Sequence, residues 1–214
     1  CDVLMSGFED GHRIFVEPFF GGGAVFWAMQ STRFHKSESE YRQVINDTNK
    51  VIITFMEVLR DNYENLQDMM LSSVYSRDLH ERANYIIDNT WEYTKLEVAW
   101  AVWFSSFSGI IGGSFSYDIL GSNNKPSYLN QRKKWYLKKY SEKLKSTFIE
   151  NKDVLELIPL WDRKETFFYL DPPYPGSDQG HYSGYSMKDF EKLLKILEKL
   201  KGKFLLSNYM SETL

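Results

Sequence analysis

The sequence predicts an α/β protein with a parallel sheet, and three observations predict it. Short apolar strand candidates alternate with amphipathic helices at both ends of the chain, as a crossover-connected parallel sheet requires. Three glycines, Gly21–Gly23, join the first strand candidate to the first helix candidate. A second apolar strand candidate, Thr166–Leu170, runs straight into Asp171-Pro172-Pro173-Tyr174. The middle breaks the alternation and reads as an inserted, mainly helical subdomain. The expected division is 1–61 with 146–214 for the α/β domain, and 62–145 for the insertion.

The elements follow in order. Arg13–Glu17 is a short apolar strand, and Ala24–Met29 a helix after the glycine loop. A second strand ends near Val44 and Ile45. One long amphipathic helix is expected next, with Val51, Phe55, Val58, Leu59 and Leu66 at helical spacing. Residues 76–107 read mostly as helix, and Trp100, Trp103, Phe104 and Phe107, spaced by three and four, read as its core face. Ser108–Asn130 is rich in Gly, Ser and Asn and reads as loop or hairpin. Arg132–Lys145 is a basic helix and Phe148–Glu150 a strand. Ser186 opens the last helix, with Asp189 as capping-box partner and Phe190, Leu193, Leu194, Leu197 and Leu200 as its apolar face. Phe204–Ser207 reads as a final buried strand.

Composition excludes several classes. The 214 residues are 43% hydrophobic and 26% charged, which is globular rather than disordered. The single cysteine, Cys1, allows no internal disulfide, and four scattered histidines suggest no metal centre. The longest weakly polar run, Ala101–Gly113, is too short to span a bilayer. With no signal-peptide pattern, a cytoplasmic protein, bacterial or phage-encoded, is expected, as is a monomer in solution. The net charge of −3 speaks at first against a nucleic-acid partner. Its distribution does not: Lys125–Lys145 holds eight basic residues against one acid, a local +7 that leaves −10 elsewhere. Within it, Lys133, Lys134 and Lys138 are candidate phosphate contacts, though the same pattern also makes a solvated helix face.

Three segments can carry chemistry. In Phe19–Gly23 the glycines permit a tight turn and close approach to a ligand; the run is neither a Walker loop nor the spaced dinucleotide fingerprint. Asp47, 26 positions beyond Gly21, suits ribose hydroxyls, because a carboxylate accepts from both; the other reading is a cap for a helix starting at Thr48. Asp171–Tyr174 is the sharpest. Its place after a buried strand is where ligands bind in open α/β sheets. Two prolines stiffen the turn and remove two N–H donors. Asp171, the Pro172 carbonyl and the Tyr174 ring then offer two acceptors and a stacking face. That set suits a planar base with an exocyclic amine. The adjoining loop Pro175–Tyr185 is polar and glycine-rich, with Tyr182 a candidate phosphate contact and His181 a solvated histidine.

These residues resemble the Dam-like adenine-N6 DNA methyltransferases, which use S-adenosylmethionine. Val16–Phe26 is similar to the family's first motif, here Phe19-x-Gly21-x-Gly23, preceded by Glu17. Ile45-Asn46-Asp47 resembles its ribose-binding strand end, Ile149–Leu155 its third motif, Asp171–Tyr174 its catalytic motif, and Phe204–Asn208 the strand that follows. The resemblance implies a Rossmann-like methyltransferase sheet with the target-recognition elements in the insertion. It implies cofactor contacts at Glu17, Phe19, Gly21, Gly23, Asp47, Asp153 and Asp171, with Asp153 meeting the cofactor's adenine. Asp171, Pro172 and Tyr174 become catalytic, the substrate double-stranded DNA, and no metal is called for. A restriction-modification setting fits. The family's Pro-Gly-Gly-Lys segment before the first motif is absent, and the chain stops soon after Asn208, so its native ends are expected to be missing. Two rival readings remain: the same fold acting on an RNA base or protein amide, and an inactive nucleic-acid-binding subunit. The insertion and an Asp, not Asn, at position 171 favour DNA adenine over the first. The intact glycine loop and Asp-Pro-Pro-Tyr disfavour the second.

Overall fold

The computed structural model describes residues 11–29, 41–108, 137–173 and 185–207. Two compact units emerge: residues 1–48 with 147–214, and residues 49–146.

The first unit is a five-stranded sheet, parallel throughout, in the order β3-β2-β1-β4-β5. Its strands are β1 (Ile14–Glu17), β2 (Arg42–Asn46), β3 (Thr147–Glu150), β4 (Thr166–Leu170) and β5 (Lys203–Leu206). Helix α1 (Ala24–Ala28) follows β1, α7 (Val154–Trp161) follows β3, and α8 (Met187–Leu197) precedes β5. Alternation along the central strands sends side chains to opposite faces. Val16, Val44, Phe168 and Leu170 join Val154, Leu157, Ile158, Phe190, Leu193 and Leu197 in the larger core. Phe15 and Phe167, one residue earlier, pack with Met29 in a second cluster. Apolar runs without polar alternation are what a parallel sheet covered on both faces demands.

The second unit is helical among its described residues: α2 (Lys50–Asp61), α3 (Tyr63–Ser72), α4 (Arg77–Asp88), a 3-10 turn (Thr90–Glu92), α5 (Lys95–Ser108) and α6 (Leu137–Lys145). Helix α5 packs against α2, α3 and α4, and α6 against α2 and α3. Buried polar groups tie the helices together. Trp100 Nε1 donates to Ser73 Oγ at 2.8 Å, Ser105 Oγ to Asn84 Oδ1 at 3.1 Å, and Ser141 Oγ to the Arg60 carbonyl at 2.9 Å.

Several expectations are corrected. The long helix from residue 51 past Leu66 is two helices, broken at Asn62, whose backbone (φ −145°, ψ 36°) is not helical and which ends one helix and starts the next. Helix α2, grouped by sequence with the α/β domain, lies in the helical unit because it packs against α5 and α6. The last strand is not buried: Phe204 is 44% exposed, since β5 is an edge of the described sheet. Helix α7 was not anticipated; Pro159 and only eight residues mask it. Trp100, Trp103 and Phe104 are core residues as expected. The capping box of Ser186 and Asp189 is present. Ser108, expected to open a loop, ends α5; the rest of that expected loop, 109–130, and the start of the basic helix at 132–136 lie outside the described residues.

Candidate active site

The strand order reverses at β1, which continues to β2 on one side and pairs with β4 on the other. Ligands of open α/β sheets bind beyond the carboxyl ends at such a switch point. The glycine loop leaves β1 there, and Asp171 leaves β4 beside it.

The glycine loop is shaped by two of its three glycines. Gly21 (φ 49°) and Gly23 (φ 67°) hold the left-handed backbone that side chains disfavour. A Cβ on Gly23 would also overlap the Phe20 ring, which is buried against Phe26 and Trp27. Gly22 is exposed, and a Cβ there would meet nothing within 4 Å. The spacing Phe19-x-Gly21-x-Gly23 thus records a backbone requirement.

Buried polar side chains bind the loops into one rim. Asp47 Oδ2 accepts from the Gly21 N–H at 2.8 Å, so the end of β2 fastens the glycine loop. The helix-cap reading of Asp47 is wrong: α2 starts at Lys50, and Asn49 caps it through the Val51 N–H. Asn46 is fully buried. Its amide donates to the carbonyls of Pro18 (2.9 Å) and Lys152 (3.1 Å), and its oxygen accepts from the Lys152 N–H at 2.8 Å. Asn46 therefore holds the chain after β1 and after β3 to the end of β2. Asn151 adds a bond to the Asp47 carbonyl at 2.7 Å. Sequence reading placed Asn46 and Asn151 inside the motifs Ile45–Asp47 and Ile149–Leu155 but gave neither a role of its own. A polar residue ending a buried strand was the further signal for Asn46.

Carboxylates gather along the rim. Glu17 (2% exposed) ends β1 and Asp47 (6% exposed) follows β2. Asp153 is exposed and caps α7, its Oδ1 accepting from the Leu155 N–H at 2.8 Å. Asp171 is exposed at the end of β4, where the Ser207 N–H bonds the Leu170 carbonyl at 2.8 Å and fixes the strand end; Pro172 behind it is buried. Phe19 is half-buried and meets the Tyr185 ring edge to face at 6.0 Å. Burial, and then the carboxylates of Asp189 and Asp153, push the Tyr185 phenol above its ordinary pKa. Lys138 is exposed on α6 in the helical unit. Tyr174, Tyr182, Lys133 and Lys134 lie outside the described residues. Among the described residues there is no cluster of metal-ligating side chains, and no helix is long and apolar enough to cross a membrane.

A parallel sheet with its glycine loop and its Asp-Pro-Pro turn on adjacent strand ends defines a Rossmann-like methyltransferase. The chain belongs to the D12 class N6 adenine-specific DNA methyltransferases, whose family model matches residues 2–214. It is a member of an enzyme family that methylates adenine in DNA. A comparison with curated proteins gives no match.

Proposed function

We propose that this chain transfers a methyl group from S-adenosylmethionine to the N6 amine of an adenine flipped out of double-stranded DNA. The observation that carries this reading is the adjacency of the glycine loop after β1 and Asp171 after β4 at the reversal of strand order. The donor set suits the cofactor. Glu17, Asp47 and Asp153 supply acceptors of the kind that ammonium, ribose and adenine-amine groups need, and Phe19, Gly21 and Gly23 supply a close backbone wall. When bound, S-adenosylmethionine supplies an electrophilic methyl on a sulfonium.

The residues of the chain would do the rest. The adenine amine is a poor nucleophile because its lone pair is delocalised into the ring. Asp171 and the Pro172 carbonyl accept its two hydrogens and favour a tetrahedral nitrogen whose lone pair can attack. This is electrostatic preorganisation at the atom where positive charge develops. Asp171, exposed at the end of β4, takes the proton that the nitrogen loses and passes it to solvent. Tyr174 is the proposed stacking platform, since a base must leave the duplex to be reached. The helical unit, with Lys133, Lys134 and Lys138, is the proposed target-recognition element.

Asp171→Ala tests the assignment. Methyl transfer to DNA adenine should fall by about 10³-fold or more, while cofactor binding and thermal stability stay near wild type. Methylation at wild-type rate would remove Asp171 from the mechanism.

A further inference from the structure

We propose that Tyr185 is a cofactor-positioning residue whose hydroxyl donates to a ring nitrogen of the cofactor's adenine; this rests on the cofactor placement given above. The Tyr185 hydroxyl is buried and has no hydrogen-bond partner among the described residues. Buried hydroxyls in folded proteins nearly always have one, because losing water without replacement is costly. A purely structural role does not explain the oxygen. Tyr185 precedes the N-cap Ser186, where an apolar residue commonly packs on the fourth helical residue, here Phe190. Phenylalanine would pack there equally well and leave nothing unsatisfied.

Its surroundings point to a flat heteroaromatic ligand. The ring meets Phe19 of the glycine loop edge to face, and both rest on the larger core together with Leu155, two residues beyond Asp153. The nearby carboxylates have donors of their own: Asp153 accepts from the Leu155 N–H, and Asp189 from Ser186 and Lys192. Between these negative charges the phenol stays protonated and is a donor. An adenine edge carries an acceptor nitrogen beside an amine. A donor at Tyr185 and an acceptor at Asp153 complement that edge. Hypoxanthine presents an N–H beside a carbonyl and would set donor against donor.

The test is Tyr185→Phe in the whole chain, read by calorimetric binding of S-adenosylhomocysteine and by melting without ligand. The dissociation constant should rise roughly tenfold, the worth of about one hydrogen bond, with no fall in melting temperature. Wild type should bind S-inosylhomocysteine more weakly than the adenosine compound, and Tyr185→Phe should narrow that gap. Unchanged affinity in Tyr185→Phe, or an unchanged gap, would overturn the role of Tyr185. Asp47→Asn, which keeps an acceptor for Gly21, separates the two failures. If it weakens binding while Tyr185→Phe does not, only the present proposal falls. If neither does, the cofactor placement falls as well.

Discussion

The rim of the sheet and the helical unit both bury polar side chains, and they use them differently. In the helical unit the polar pairs join side chains on regular elements: Trp100 on α5 to Ser73 beside α3, and Ser105 on α5 to Asn84 on α4. Each adds orientation to helix contacts that apolar burial already secures, with Phe104 beside Trp100 and Leu66 on α3 both fully buried. At the rim, Asn46 and Asp47 bond backbone groups of irregular loops, which have no regular hydrogen-bond ladder of their own even where Phe20 is buried. There hydrogen bonds set the shape. Packing can fix a helix, whereas a loop that must present its backbone to a ligand needs side-chain partners for that backbone.

That contrast can be broken at either end. Phe104→Ala should have the largest effect on stability, about 3–5 kcal/mol for a fully buried phenylalanine. Below its melting temperature it should leave the S-adenosylhomocysteine dissociation constant unchanged. Asn46→Ala removes three bonds and leaves buried backbone groups unsatisfied, at roughly 2–4 kcal/mol. Unlike Phe104→Ala it should also weaken cofactor binding several-fold, and a purely thermal effect would collapse the distinction. The smallest effect sharpens the contrast to single residues. Gly23→Ala forces a side chain into a left-handed backbone, at about 1–2 kcal/mol before its overlap with Phe20. Gly22→Ala should be near neutral in denaturant titration, because its Cβ would meet open space.

Much of the site was legible because it is local in the chain. Gly21 and Gly23 announce a turn, and Asp171 announces a strand end, through residues a few positions away. The helical unit was less legible. Its division at Asn62 depends on how α2 and α3 pack against α5, and no single residue there is a strong breaker. The edge exposure of Phe204 was hidden for a related reason. An apolar run reads the same whether a strand lies on both sides of it or on one.

The sequence by itself determined the strands, the glycine loop, the position of Asp171 at a strand end and their order, since these rest on periodicity and on backbone preferences of neighbouring residues. Only the tertiary structure decided what Asp47 does. Its carboxylate holds the Gly21 N–H across 26 residues rather than capping the next helix, and it does so because β1 and β2 are adjacent in the sheet. The same holds for Asn46 and Tyr185. Whether a buried polar group is satisfied depends on which loops the strand order brings within reach, and local sequence carries no record of that order.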